Sequence, residues 1–233
     1  MANSDTLQIE IQEEALAKGP KVAFGMSLDI KNEIPEKLRN EFEMWRAELL
    51  EKIMSDTPAS ELRQLPEIAA FEQAHRNCGR TTREIKKGPP APLALRRMAL
   101  KSGLPEINPA VDIYNLIAAH SLMALGGHDI SNLNGNVVSF RLLTGNETFT
   151  PLGKPVSENI ANKYAYTDTD GGRIICYLEV QQCAETLVSN ETTDVLWIIQ
   201  GNEATSQEVV DKVRDELLSK IQYFLGGESE ILN

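Results

Sequence analysis

Residues 104–129 read LPEINPAVDIYNLIAAHSLMALGGHD, and this stretch decides the fold. It predicts an apolar helix with Asn108 as its N-cap and Pro109 in the first helical position. Asn108, Asp112 and Asn115 follow at helical spacing and form one polar stripe on an otherwise greasy rod. Such a helix has to be buried, and a buried amide or carboxylate without a partner costs about 1–3 kcal/mol. Either the fold or a ligand must supply those partners. Asn108 is accounted for as a cap. Asp112 lies near the helix start, where the peptide dipoles favour a carboxylate. Asn115 sits deeper in the apolar turn and is a candidate ligand contact. Gly126-Gly127-His128-Asp129 then reads as a flexible turn. Its glycines would let backbone N–H groups approach a ligand, and it would present an imidazole and a carboxylate. His120 reads as a core histidine and His75 as an exposed one.

Working outward, Leu7, Ile9 and Ile11 alternate as in a strand, and Val22, Phe24, Met26 and Leu28 do so again after Gly19-Pro20. Pro35 precedes Leu38, Phe42, Trp45, Leu49 and Ile53, which share one helical face. Pro66 starts a helix ending near Gly79, and Ala91 to Ser102 forms a basic helix closed by Gly103. Past Asp129 the pattern changes. NGNVVSFRLL, TGNETFTPLG, NKYAYTDTDGGRIICYLEV and TTDVLWIIQG read as short strands, with hairpin loops at Thr144–Glu147 and Asp170–Gly172. A last helix has Thr205 and Glu208 at capping-box spacing and Val209, Val213, Leu217, Ile221 and Phe224 on one face. The reading is α+β, a helical N-terminal half packed on a strand-rich C-terminal half, in a single unit over 1–233.

Composition narrows the function. A net charge of −11 argues against a protein that coats nucleic acid. The charge is uneven, however. Arg76, Arg80, Arg83, Lys86, Lys87, Arg96, Arg97 and Lys101 gather in one stretch whose lone acid is Glu84. A basic face on an acidic body can hold RNA or another phosphate ligand. No run approaches the roughly 20 apolar residues of a membrane span, and the acidic start is no secretory signal, so the expected location is cytoplasmic. Cys78, Cys176 and Cys183 read as reduced thiols, and no spacing suggests a metal. Gln181, Gln182, Glu185, Thr186 and Thr192 form a polar cluster around Cys183 between two strands, a common place for function.

The string from Leu104 to Leu142 resembles the editing module of the phenylalanyl-tRNA synthetase beta subunit, and the free-standing proteins built on that module. The features that carry the likeness are N-P-x-V-D-x-Y-N over Asn108 to Asn115, the glycine-rich segment Gly126 to Asp129, and the step Leu133-Asn134-Gly135. A later string, Glu191, Thr192, Val195 and Leu196, leads into WIIQG. The resemblance covers about residues 68–201. It implies an α+β module that, in the synthetase, hydrolyses tyrosine wrongly attached to the phenylalanine tRNA. That reaction cleaves an aminoacyl ester and needs a positioned water. Asp112, Asn115 and Asp129 match family positions. Gly126 stands where the synthetase has a histidine, and Ala184 falls near its pocket glutamate, with Glu185 adjacent. The implied protein is a stand-alone RNA- or tRNA-binding domain that does not charge tRNA, and the diverged pocket positions leave open whether it deacylates mischarged tRNA. Asp112, Asn115, Gly126, Gly127, Asp129 and Thr186 would line the pocket, and His128 and Glu185 would carry the proton transfer. Arg80, Arg83, Arg96 and Arg97 would meet phosphates, with no cofactor and no metal. Alternatives are a non-catalytic binder of an amino-acid-like ligand and a structural or interaction module on the same fold.

Overall fold

The computed structural model describes residues 7–153, 160–168 and 172–232. In chain order these form β1 (Gln8–Ile11), α1 (Glu13–Leu16), β2 (Lys21–Leu28), α2 (Arg39–Ser55), α3 (Pro66–Asn77), α4 (Thr82–Lys87), α5 (Ala91–Ser102) and α6 (Pro109–Ser121). There follow β3 (Ala124–Asp129), β4 (Val137–Leu142), β5 (Tyr164–Asp168), β6 (Arg173–Tyr177), β7 (Gln181–Gln182), β8 (Val195–Gly201), α7 (Gln207–Leu225) and β9 (Glu228–Leu232).

The strands make two sheets, one ordered β1-β4-β5-β6-β7 and one ordered β3-β8-β2-β9. Both combine strands from the two halves of the chain. β1 lies parallel to β4, and the other pairings are antiparallel. Alternation along β2 and β8 divides the core. Phe24, Met26, Leu196 and Ile198 face the five-stranded sheet and meet Val138, Phe140, Tyr164 and Tyr166. Ala23, Val195, Trp197 and Ile199 face the opposite way, onto α2, α6 and α7. The fold is therefore sheet on sheet on helices. Each fully buried large apolar side chain stabilises this layering by roughly 1.5–3 kcal/mol. No described helix is long and apolar enough to cross a membrane.

Several elements differ from the sequence reading. Leu38 belongs to a short 3-10 turn, and α2 begins at Arg39. α4 was not anticipated, although Thr81 and Glu84 form a complete capping box at its start. The stretch expected as the strand TGNETFTPLG is a loop with two isolated bridges, Thr148 to Arg173 and Pro151 to Cys183. Glu147 explains this, because its carboxylate accepts the backbone N–H of Thr144 and Gly145 and the Thr144 hydroxyl, curling the chain away from extended form. Of the expected loop at Asp170–Gly172, Asp170 and Gly171 lie outside the described residues. Ser206, not Thr205, caps α7, and in its first turn Val209 is exposed and Val210 buried, while Val213, Leu217, Ile221 and Phe224 are buried as expected. β9 also went unread. It pairs with β2 at the sheet edge.

Candidate functional site

The start of α6 is built by side chains that hold it to the loop before β8. Asn108 caps the helix by accepting the N–H of Val111 (3.1 Å), and its own amide donates to Val188 O (3.1 Å). Asn32, from the loop after β2, completes the clasp. It donates to Asn108 Oδ1 (3.0 Å) and Ser189 O (2.7 Å) and accepts the N–H of Ala110 (2.8 Å). Asp112 accepts the N–H of Ile107 (2.9 Å), and burial raises its carboxyl above the ordinary range against that bond and the charge of Arg46. Two members of the polar stripe thus have hydrogen-bond partners within the fold. Asn115 is 8% exposed, deeper along α6 than the cap, among Val111, Leu116 and Ala119.

Gly126 to Asp129 is not a turn but the end of β3, in register with β8. The glycine at 127 serves packing, since a Cβ there would sit 2.7 Å from the Trp197 ring. A Cβ at Gly126 would meet nothing within 4 Å. His128 opposes Leu196 and so projects between the sheets, whereas Asn115 belongs to the helix layer on the other side. The His128 Nδ1 lies 2.7 Å from Thr186 Oγ1, which is itself 3.0 Å from Cys183 Sγ. Gln182 braces the same corner by donating to Gly127 O (2.6 Å).

The sequence around Cys183 offers no histidine, yet the fold brings one to it through a hydroxyl. The protonation runs opposite to a reactive thiolate–imidazolium pair, however. Burial, followed by the charge of Arg173, lowers the His128 pKa to about 3, and burial raises the Cys183 thiol. A nucleophilic cysteine requires the reverse shifts. Asp129 is likewise occupied, accepting from Ser131 N and Oγ and from Thr192 Oγ1 (2.7 Å). Thr186 is fully buried, while Glu185 is exposed with its carboxyl held below the ordinary range, chiefly by Thr150.

Asn115, His128 and Glu185 therefore do not share a described cleft. One cleft of about 670 Å³ is lined by Ile30, Asn32, Phe42, Pro109, Glu191 and Thr192 among others. Another of about 590 Å³ includes Ser139, Arg141, Thr144 and Glu147. Among the described residues no group of three or more His, Cys, Asp or Glu is placed to hold a metal ion.

The basic segment divides into buried and exposed cations. Arg96 is fully buried, donating to Ala119 O (2.9 Å) and pairing with Asp56 (2.6 Å), so it ties α5 to α6 instead of facing solvent. Arg80 is 6% exposed and donates to His75 Nδ1 (2.9 Å) and Glu84 O (3.0 Å). Arg83, Lys86, Lys87 and Lys101 are exposed, and Arg97 is half-buried. The histidines exchange their expected places. His120 is exposed in the last turn of α6, whereas His75 is wholly buried, 2.5 Å from Glu179. Glu179 also accepts from Tyr164 (2.7 Å) and Gln200 (3.1 Å), and Gln200 accepts from Tyr166 (2.6 Å). Nothing local in the sequence marks Asn32 or Glu179, because their partners lie on distant segments.

A family model described as the B3/4 domain matches residues 73–212, more than half of the chain. The chain belongs to the B3/4 domain family. Comparison with curated proteins gives no match. Among solved structures, this B3/4 protein is similar to an N-terminal fragment of the phenylalanyl-tRNA synthetase beta-subunit from Pyrococcus horikoshii, at 10% identity and a TM-score of 0.49. That alignment covers 98% of this chain and 52% of the fragment, so the chain spans about half of the fragment's length. The B3/4 region takes in α6, the loop before β8 and the basic segment from α4 to α5, but not Asn32. Of the clasp, only that asparagine comes from outside it.

Proposed function

We propose that this B3/4-domain protein binds tRNA or aminoacyl-tRNA, with the RNA backbone against α4 and α5 and the aminoacyl end against α6. The observation that carries the reading is the exposure of Arg83, Lys86, Lys87 and Lys101 on two consecutive helices of an acidic molecule. Of these, α5 is tied by Arg96 to α6, the helix that bears Asn115. Clustered cations on an otherwise repelling body confine a polyanion to one face. Membership of the B3/4 family and the likeness of Leu104–Leu142 to the synthetase editing module support the same partner.

Binding outweighs turnover in this reading. A general base works best with a pKa near the operating pH, and His128 lies far below it. Glu185 is exposed, whereas His128 is buried. A second reading, a non-catalytic site for a small amino-acid-like ligand, is favoured by Asn115 alone, since an amide set among the apolar residues of α6 suits a ligand's polar group.

A panel of mischarged tRNAs tests these readings by filter retention and by release of the amino acid. The expected result is retention that weakens with salt and no release. Release that disappears in His128→Ala and Glu185→Ala overturns the binding-only reading. No retention and no release leaves the small-ligand site, which titration calorimetry with free amino acids on wild type and Asn115→Ala then decides.

A further inference from the structure

We infer that Arg80 is the positioning residue of the RNA face: held inside the fold by His75 and Glu179, it fixes α4 so that Arg83, Lys86 and Lys87 meet the phosphates. The inference rests on the RNA-binding reading proposed above. It separates the cations that contact RNA from one that only orients them.

α4 has six residues, far fewer than the roughly 12–15 an isolated helix needs in water. Its orientation must come from outside contacts. At its start, Glu84 Oε2 accepts from Thr81 N (2.6 Å) and Oγ1 (2.7 Å). At its end, Glu84 O accepts both Gly88 N (2.8 Å) and Arg80 Nη2 (3.0 Å). The guanidinium therefore acts on the carbonyl end of α4, where a positive charge is favoured. Gly88 leaves room for it, since a Cβ there would stand 3.2 Å from Nη2.

The other arm of the guanidinium reaches into the core. Nη1 lies 2.9 Å from His75 Nδ1, and a guanidinium only donates, so Nδ1 accepts and the ring proton sits on Nε2. Nε2 then donates to Glu179, whose second oxygen is filled by Tyr164 and Gln200. One imidazole thus couples a buried cation to a buried anion anchored in both sheets. Glu179 and Leu178 before it both take left-handed backbone, with φ of 45° and 48°, to turn that carboxylate inward. Lys163 steadies the α3–α4 corner by donating to Cys78 O (2.9 Å).

Arg80→Lys tests the assignment because it keeps the charge and loses the fork. A lysine ammonium does not hold both acceptors in the fixed geometry of a guanidinium. Two readouts are taken on the full chain: amide hydrogen exchange in α4, and the dependence of tRNA affinity on salt. The expected result is a roughly tenfold loss of protection at Ile85 and Gly88. With it, the slope of log K against log salt falls by about one, at unchanged net charge. Gly88→Ala crowds the same contact without touching the core and gives smaller changes of the same sign, and it decides the matter if Arg80→Lys does not fold. Wild-type protection and slope in these variants overturn the inference alone. Absence of salt-dependent tRNA binding by the unsubstituted protein overturns the RNA reading and this inference with it.

Discussion

His128 is 1% exposed, so a charge on its ring would be cut off from solvent, and this sets its behaviour with pH. Its folded pKa is about 3 against the ordinary 6.5, so below pH 6.5 the unfolded chain takes up a proton that the folded one refuses. Stability from this group is complete above pH 6.5 and is lost as pH falls toward 3, by about 1.4 kcal/mol per pH unit. Urea titrations from pH 7 to 5 will therefore show a steeper loss for wild type than for His128→Asn, and equal slopes would remove the account of a neutral buried imidazole. The neighbouring glycines give a second prediction. Gly127→Ala forces a methyl against Trp197 and will cost about 1–3 kcal/mol, while Gly126→Ala has open space and will be near neutral. Denaturant midpoints for the two variants check this. The sequence shows the pair but not its purpose. Two glycines before a histidine look like a turn, and only the position of Trp197 reveals that one of them makes way for an indole.

At the scale of elements, helix boundaries were legible where local chemistry sets them. Asn108-Pro109 begins α6, and Ala91 to Ser102 with Gly103 delimits α5, because caps and proline act within a few residues. In α7 the expected face holds at Val213, Leu217, Ile221 and Phe224, and only its first member differs: Val209 in the first turn is exposed and Val210 takes the buried place, after a cap at Ser206 instead of Thr205. The attachment of α6 was not legible at all, since Asn32 lies far from every group it holds. Asn32→Ala will leave Ala110 N, Asn108 Oδ1 and Ser189 O without that side chain and will cost about 2–3 kcal/mol. A loss below about 0.5 kcal/mol in chemical denaturation would mean that the clasp is incidental.

For the whole molecule, the α+β organisation followed from the order of periodicities, helical first and alternating later. The pairing of strands from opposite halves of the chain did not follow, because register across such distances depends on packing in three dimensions. Two of the four arginines expected at phosphates are interior. A run of basic residues does not say which of them the core will claim, and the neighbours of Arg80 and Arg96 come from other segments. What remains is an acidic protein with Arg83, Lys86, Lys87 and Lys101 exposed on two consecutive helices. Filter binding of tRNA from about 50 to 200 mM salt tests that picture most directly. The account predicts that log K falls linearly with log salt, and that the combined Arg83→Ala, Lys86→Ala and Lys87→Ala variant binds more weakly with a shallower slope. Retention with the same affinity and slope in that variant would contradict it.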